Sequence, residues 1–493
     1  MSHEVPTIRA PLAHRLLWCA LLAYALSAWL TFGAGPIGVS WRESDTQAIA
    51  RSFHEEGFDL LRPRVDWRGA TDGAVECECP LYQGVVAVLL RAFGDVEWPG
   101  RLVSLLAVVL LVRALFGVLE LRTGSWPALV GSLVFLGSTQ IAYVGTRVTP
   151  DAFSTALAML GLERFGAWLV LRRRGAFALA MVCTALGMLA KPTAAVVLLV
   201  QVAWLTAVAP ARWRDWRVWS GFGIAAGLVA AWMLHARAIG LTTGLTFGVT
   251  FGDTKMPGLA QLVRPSCHRS LLWATLQYGA SWYGAAALLV LAVRRRLQRA
   301  DCVWLAILAA SLLGSLRYSH DAVMGPQYHI YSALLGAYLV ARAWPERLPG
   351  RFVPLVAAVL VAHAAIALRG EFTARAGYGS SLHSETAAAL RACSAPGDLV
   401  AIRGPKPRFD AFWQRPNNFE EPVLLYLSHR KGWILPVDEV DGAALERVRA
   451  QGARWFVETN PGATSPDLTA WLAGNAGLVR DAGHARIFGL KSR

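Results

Sequence analysis

Charge is scarce in this chain. Only 16% of its 493 residues are charged, against about 25% in an ordinary soluble domain, which argues against a soluble enzyme. Cysteine is sparse as well. Seven residues, scattered along the sequence, are too few for a disulfide framework. Cys19, Cys183 and Cys302 fall in or beside apolar runs and read as small buried hydrophobes. Cys77 and Cys79 flank Glu78, but a C-x-C step without a second cysteine pair favours ordinary loop residues over zinc ligands. Acidic side chains are outnumbered, 33 against 48 basic, for a net charge of +15. That excess forms no basic domain and accompanies no aromatic-studded sheet, so no nucleic-acid partner is expected. No internal repeat and no low-complexity linker is recognisable.

Apolar residues are what the chain has in abundance, 55% of the total. Runs such as 126–145 and 193–209 carry no charge and are long enough to read as spanning helices. About eleven spans are expected, near 15–34, 101–119, 126–145, 152–171, 176–191, 193–209, 218–238, 269–293, 302–317, 328–343 and 352–368. The first follows Arg9 and Arg15 and lacks an A-x-A step, which fits a retained helix better than a signal peptide.

Segment 80–94, PLYQGVVAVLLRAFG, is apolar but short for a crossing. Parity decides its place. If it stays on one side and the N-terminus is cytoplasmic, the basic clusters at 172–174, 212–217, 294–299 and 342–351 all become cytoplasmic, as the positive-inside rule asks. Segment 80–94 then lies in the outer interface as an amphipathic or re-entrant helix. Loop 35–79, loop 239–267 and everything after 369 fall outside. The tail, 371–493, alternates strand-like pieces (Leu399–Ile402, Val423–Leu427, Trp455–Val457) with helix-like ones (Gly442–Ala450, Pro466–Ala473), the pattern of a small α/β domain. The expected architecture is therefore an α-helical polytopic membrane domain over 1–370, containing loop 35–79 and juxtamembrane helix 80–94, followed by a soluble non-cytoplasmic α/β domain.

Ionisable groups beside spans are functional candidates by default. On the outer side the topology gathers Glu43, Asp45, Glu78, Arg147, Asp151, Lys191, His320, Asp321 and Tyr328. In W-R-E-S-D-T-Q-A-I-A-R-S-F, Trp41 to Phe53, a short helix over Thr46–Phe53 would leave Asp45 at or near its N-cap. Asp45 is then either a cap or a general base that takes the proton of an attacking hydroxyl. Glu78 either contacts a substrate or cation or is a solvated loop acid. Asp151, behind Pro150, is either a site residue or a helix N-terminal acid. Lys191, before Pro192, either snorkels or binds a phosphate as a point charge. His320 and Asp321 open a further outer loop, where a structural histidine competes with a metal or phosphate ligand.

These marks, in order, resemble a known family: the W-R-E-S-D loop, E-C-P-L-Y at 78–82, F-G at 93–94, Arg101, R-V-T-P-D-A at 147–152, the Leu189-Ala190-Lys191-Pro192 step, and the late H-D…Q-Y-x-x-Y stretch. Over roughly 10–370 the chain is similar to the bacterial membrane glycosyltransferases related to protein O-mannosyltransferases and the lipid A aminoarabinose transferase, with the type C glycosyltransferase fold. The resemblance implies a hexosyl- or pentosyltransferase. It would use a polyprenyl-phosphate sugar donor on the non-cytoplasmic face of the inner (plasma) membrane, amid membrane lipids, with a lipid, polysaccharide or protein acceptor. It also implies that Asp45 is catalytic, that Glu78 lines the same cavity, and that Arg147 and Lys191 lie near the donor phosphate. No cofactor is certain; a divalent cation is an open expectation. The chain departs from the pattern in three places. Ser44 separates Glu43 from Asp45, which keeps Glu43 as a second candidate base. Cys79 stands inside the Glu-x-Pro step, and Tyr328 and Tyr331 replace an adjacent tyrosine pair. The rival reading is a transporter or lipid flippase, which calls for polar residues at mid-membrane; only Arg113, Glu163 and Arg164 offer these, and they can pair with one another.

Overall fold

The computed structural model describes residues 10–32, 39–173, 175–250, 265–279, 281–294, 297–298, 301, 304, 325–344, 352–377, 380–411, 415–417, 419–461 and 464–491. Helices dominate, with a small sheet near the C-terminal end. The chain divides into two compact units. One comprises residues 1–35, 97–232 and 255–373; the other gathers 36–96, 233–254 and 374–493.

The first unit is a helical membrane protein. Its long helices include α1 (Pro11–Phe32) and, beyond the helices α2 (Trp41–Glu55) and α3 (Leu81–Phe93) of the other unit, α4 (Trp98–Thr123) and α7 (Pro150–Leu171). Between these last two lie α5 (Ser125–Leu136) and α6 (Thr139–Thr146). α8 (Ala176–Ala190), α9 (Ala195–Val208) and α10 (Trp216–Thr243) follow. Among the described residues five helices are long and apolar enough to cross a membrane, or up to seven if each bent pair is one span. The expected span 126–145 is one such pair. It bends by 64° where α5 gives way to α6, because Ser138 caps a new helix by accepting a bond from the Ile141 N–H. Expected spans 176–191 and 193–209 form as the shorter α8 and α9, and 302–317 falls almost wholly outside the described residues.

Small residues set the packing. A Cβ on Gly161 of α7 would come within 2.4 Å of the Thr184 hydroxyl on α8, and one on Gly187 within 2.9 Å of the Ser154 carbonyl. The two backbones approach this closely only because both positions are glycine. Arg113 of α4 and Glu163 of α7 pair at 2.8 Å, and Arg164 lies 3.7 Å from the same carboxylate, so the one mid-span acid is shared by both mid-span arginines.

The second unit is an α/β sandwich. Its sheet has the order β4-β1-β5-β7-β6, from β1 (Leu399–Arg403), β4 (Lys431–Leu435), β5 (Ala453–Thr459), β6 (Ala476–Asp481) and β7 (Ala485–Leu490). A two-residue ribbon, β2 (Phe409–Asp410) with β3 (Arg415–Pro416), stands apart. β1 runs parallel to β4 and β5, and β7 is antiparallel to both its neighbours. Pleating sends alternate side chains to opposite faces. Ala401 and Phe456 pack with Leu445, Val448, Leu468 and Leu472 of helices Gly442–Ala450 and Pro466–Asn475. Val400, Ile402 and Val457 pack on the other face with Leu390, Leu424 and Leu425. That second core also takes Ile49 and Phe53 of α2, Trp67, Val75, Cys77 and Ala87 of α3. The first loop and the tail thus share one hydrophobic core. The expected strand over Val423–Leu427 is instead a helix, Val423–Ser428, ended by His429 in the left-handed region at φ 53°. A five-residue apolar run does not by itself separate strand from buried helix.

α3 has 13 residues, about 20 Å of helix against the roughly 30 Å of a bilayer core.

Candidate active site

α2 begins five residues earlier than the sequence suggests. Ser40 is its N-cap and forms a capping box with Glu43, the S-x-x-E signature. The Ser40 N–H and hydroxyl donate to Glu43 Oε2 at 3.1 and 2.8 Å. Asp45 is therefore not a cap. The Glu43 Oε1 atom accepts from Arg375 at 3.0 Å, with both side chains 1% exposed. Glu43 is engaged at both oxygens by groups that hold the helix start.

Two residues on, about 200° around the helix, Asp45 meets a different setting. It is buried, and the Trp67 indole N–H donates to its Oδ1 at 2.8 Å. Loss of solvent pushes its carboxyl from 3.8 up to about 8; the indole bond and Arg42 pull it down, while Asp66 and Glu420 push it further up. Arg42, one turn before, donates to Glu78 Oε2 at 2.8 Å and lies 5.1 Å over the Phe247 ring. That ring in turn packs on Trp67, with centroids 6.0 Å apart. The neighbouring acid Glu76 pins a loop. It is fully buried and accepts from the Thr246 hydroxyl at 2.5 Å and the Thr250 N–H at 2.7 Å. In the second unit Trp67, Phe247 and Arg42 thus link Asp45 to Glu78, while Glu43 stands apart with Ser40 and Arg375.

The first unit holds the other set. Lys191 ends α8 in an extended conformation, as the residue before Pro192 must. Its ammonium pairs with Asp151, which sits in the first turn of α7 behind Pro150. The Tyr328 ring lies 5.7 Å from the same ammonium. Arg147 donates twice to Glu371 Oε1, at 2.9 and 2.8 Å, and lies 4.1 Å over the Tyr143 ring. Glu371 has no signal in the local sequence; it ends a long apolar run and reads as a boundary residue. His320 and Asp321 lie outside the described residues.

For a metal, the group among the described residues with ligand atoms close together is Glu55, Asp95 and His429, all exposed and within 4.8 Å of one another. It involves none of the residues singled out from the sequence.

Residues 78–235 match the family model described as dolichyl-phosphate-mannose-protein mannosyltransferase. The whole chain is similar to ArnT from Cupriavidus metallidurans bound to undecaprenyl phosphate, at 13% identity and a TM-score of 0.59, covering 96% of this chain and 97% of that one. This protein has the type C glycosyltransferase fold. A second similar structure is the archaeal oligosaccharyltransferase AglB from Archaeoglobus fulgidus with an inhibitory peptide and a dolichol-phosphate (11% identity, TM-score 0.54, 97% and 74% covered). A third is the arabinofuranosyltransferase AftD from Mycobacteria (17%, 0.52, 97% and 42%). No curated protein matches the chain by sequence. The resemblance read from the loop and proline-step motifs to a membrane glycosyltransferase of this fold is borne out.

Proposed function

We propose that this type C glycosyltransferase moves a sugar from a polyprenyl-phosphate carrier to a lipid, polysaccharide or protein acceptor on the non-cytoplasmic face of the inner membrane, with Asp45 as general base. The environment of Asp45 carries this reading. It is a buried carboxyl inside a helix that another residue caps, held by one indole N–H, with its proton affinity raised to about 8. A base works best with a pKa near the operating pH.

The acceptor oxygen attacks the anomeric carbon and Asp45 takes its proton. The bond from that carbon to the phosphate oxygen breaks, and the electron pair leaves with the polyprenyl phosphate, which needs no general acid. A single base with no paired nucleophile implies inversion. Glu78, oriented by Arg42, hydrogen-bonds the acceptor. Lys191 and Arg147 supply positive charge to the departing phosphate, Asp151 and Glu371 orient them, and Tyr328 flanks the donor. Support for the donor class comes from the two similar structures that contain undecaprenyl phosphate and dolichol-phosphate. Glu43 serves the helix start rather than the chemistry.

The test is transfer of labelled sugar from a panel of polyprenyl-phosphate donors in membranes containing this protein. Label leaving the donor lipid in wild type, and staying there with Asp45→Asn at equal abundance, supports the reading. Equal consumption by both proteins removes Asp45 from the chemistry.

A further inference from the structure

The tail reaches the Asp45–Trp67 pair along two routes. The first runs through the helix Val423–Ser428. The Tyr426 hydroxyl donates to Gln47 Oε1 at 3.0 Å, with both side chains buried. Its carbonyl accepts from Arg51 at 3.1 Å, and its ring lies 4.8 Å beneath that guanidinium. Gln47 and Arg51 are two and six residues beyond Asp45 on α2, so this helix fixes the axial position and rotation of α2.

The second route runs through the start of β4. The Gly432 N–H donates to the Asp66 carbonyl at 3.0 Å, and its carbonyl accepts from the Gly69 N–H at 2.7 Å. Segment 66–69, which carries Trp67, is hydrogen-bonded to the edge of the tail sheet. Position 432 must be glycine: its φ is +156°, and a Cβ would come within 1.9 Å of the Val400 carbonyl oxygen. Arg51 joins the routes, donating to Asp66 Oδ2 at 2.6 Å.

We infer that the tail is the positioning element of the general base: Tyr426 and Gly432 set the distance between Asp45 and the Trp67 indole. This rests on the reading of Asp45 as base. The charged groups acting on Asp45 are Arg42 from its own helix, Asp66 from the loop and Glu420 from the tail.

The experiment measures the pH dependence of kcat and the donor KM for the full chain, with thermal melting as a control for folding. Glu420→Gln should move the alkaline-rising midpoint about 0.5 pH unit toward acid. Trp67→Phe should move it about one unit toward alkali, since a lost hydrogen bond no longer favours the carboxylate. Tyr426→Phe, which keeps the ring beneath Arg51, should lower kcat about tenfold with donor KM unchanged. A purely structural tail would leave the midpoint alone. If Asp45→Asn is inactive while Glu420→Gln and Tyr426→Phe match wild type in midpoint and kcat, the inference is overturned and the base reading stands. If Asp45→Asn stays active, the base reading fails and takes the inference with it.

Discussion

An indole N–H holds Asp45; an ammonium holds Asp151. Both carboxyls are buried, both belong to helices, and each is a candidate from sequence with a helix-terminus alternative beside it. Their surroundings set them apart. Asp151 keeps its first-turn position and gains a cation, so its charge is neutralised twice, by Lys191 and by the helix N-terminus. Asp45 lies deeper in α2, beyond the reach of that dipole. A carboxyl in the first setting anchors a lysine, whereas one in the second is poised to accept a proton. Burial without a paired cation, as at Asp45, favours the protonated carboxyl, the kind of perturbation that clusters at functional sites.

The largest expected effect comes from erasing the difference. Asp45→Asn should lower transfer by about 10²- to 10⁴-fold, the usual range for a general base. It should also stabilise the protein. Because the folded carboxyl titrates near 8 and an ordinary one near 3.8, the stability tied to its proton is full below about pH 4 and is lost as pH rises to about 8. Asn cannot ionise, so the variant should melt higher than wild type at pH 8–9 and nearly level with it near pH 4. Next is Lys191→Ala, which should raise donor KM and lower transfer about 10- to 100-fold. It strands Asp151 as a buried charge, at a cost of about 3–5 kcal/mol. Adding Asp151→Asn should recover the melting temperature but not the transfer. If the double variant recovers both, Lys191 is only a structural partner.

Glu78→Gln should raise the acceptor KM and leave the donor KM in place, because Arg42 retains a partner there. Smallest in activity is Glu43→Gln. It weakens the capping box and the Arg375 pair, lowering stability by about 1–3 kcal/mol, while transfer per folded molecule changes only a few-fold and its pH midpoint does not move. A midpoint that shifts with Glu43→Gln but not with Asp45→Asn would exchange the roles of the two acids.

The apolar periodicity told most about the membrane helices, since α1, α4, α7 and α10 each carry a run long and apolar enough to cross a membrane. It could not foresee the break at Ser138, where a capping serine and Gly137 stop an otherwise continuous run. Asp45, Glu78, Asp151 and Lys191 were legible because polar residues next to apolar runs are few. The start of α2 was misjudged although Ser40 and Glu43 spell a capping box. Arg375 and Glu371 were not legible at all. Their partners, Glu43 and Arg147, lie 332 and 224 residues away, and nothing local in a chain records such a pairing. The same holds for the core that joins α2 to the tail sheet, where Ile49 and Val400 meet only after folding.

Whether Asp45 is the base can be read from the pH–rate profile of purified wild type under saturating donor and acceptor. In wild type kcat should rise about tenfold per pH unit below about 8 and level off above it, with Asp45→Asn flat and near background throughout. A wild-type rate independent of pH between 6 and 9, or an Asp45→Asn profile that keeps the same rise, would contradict it.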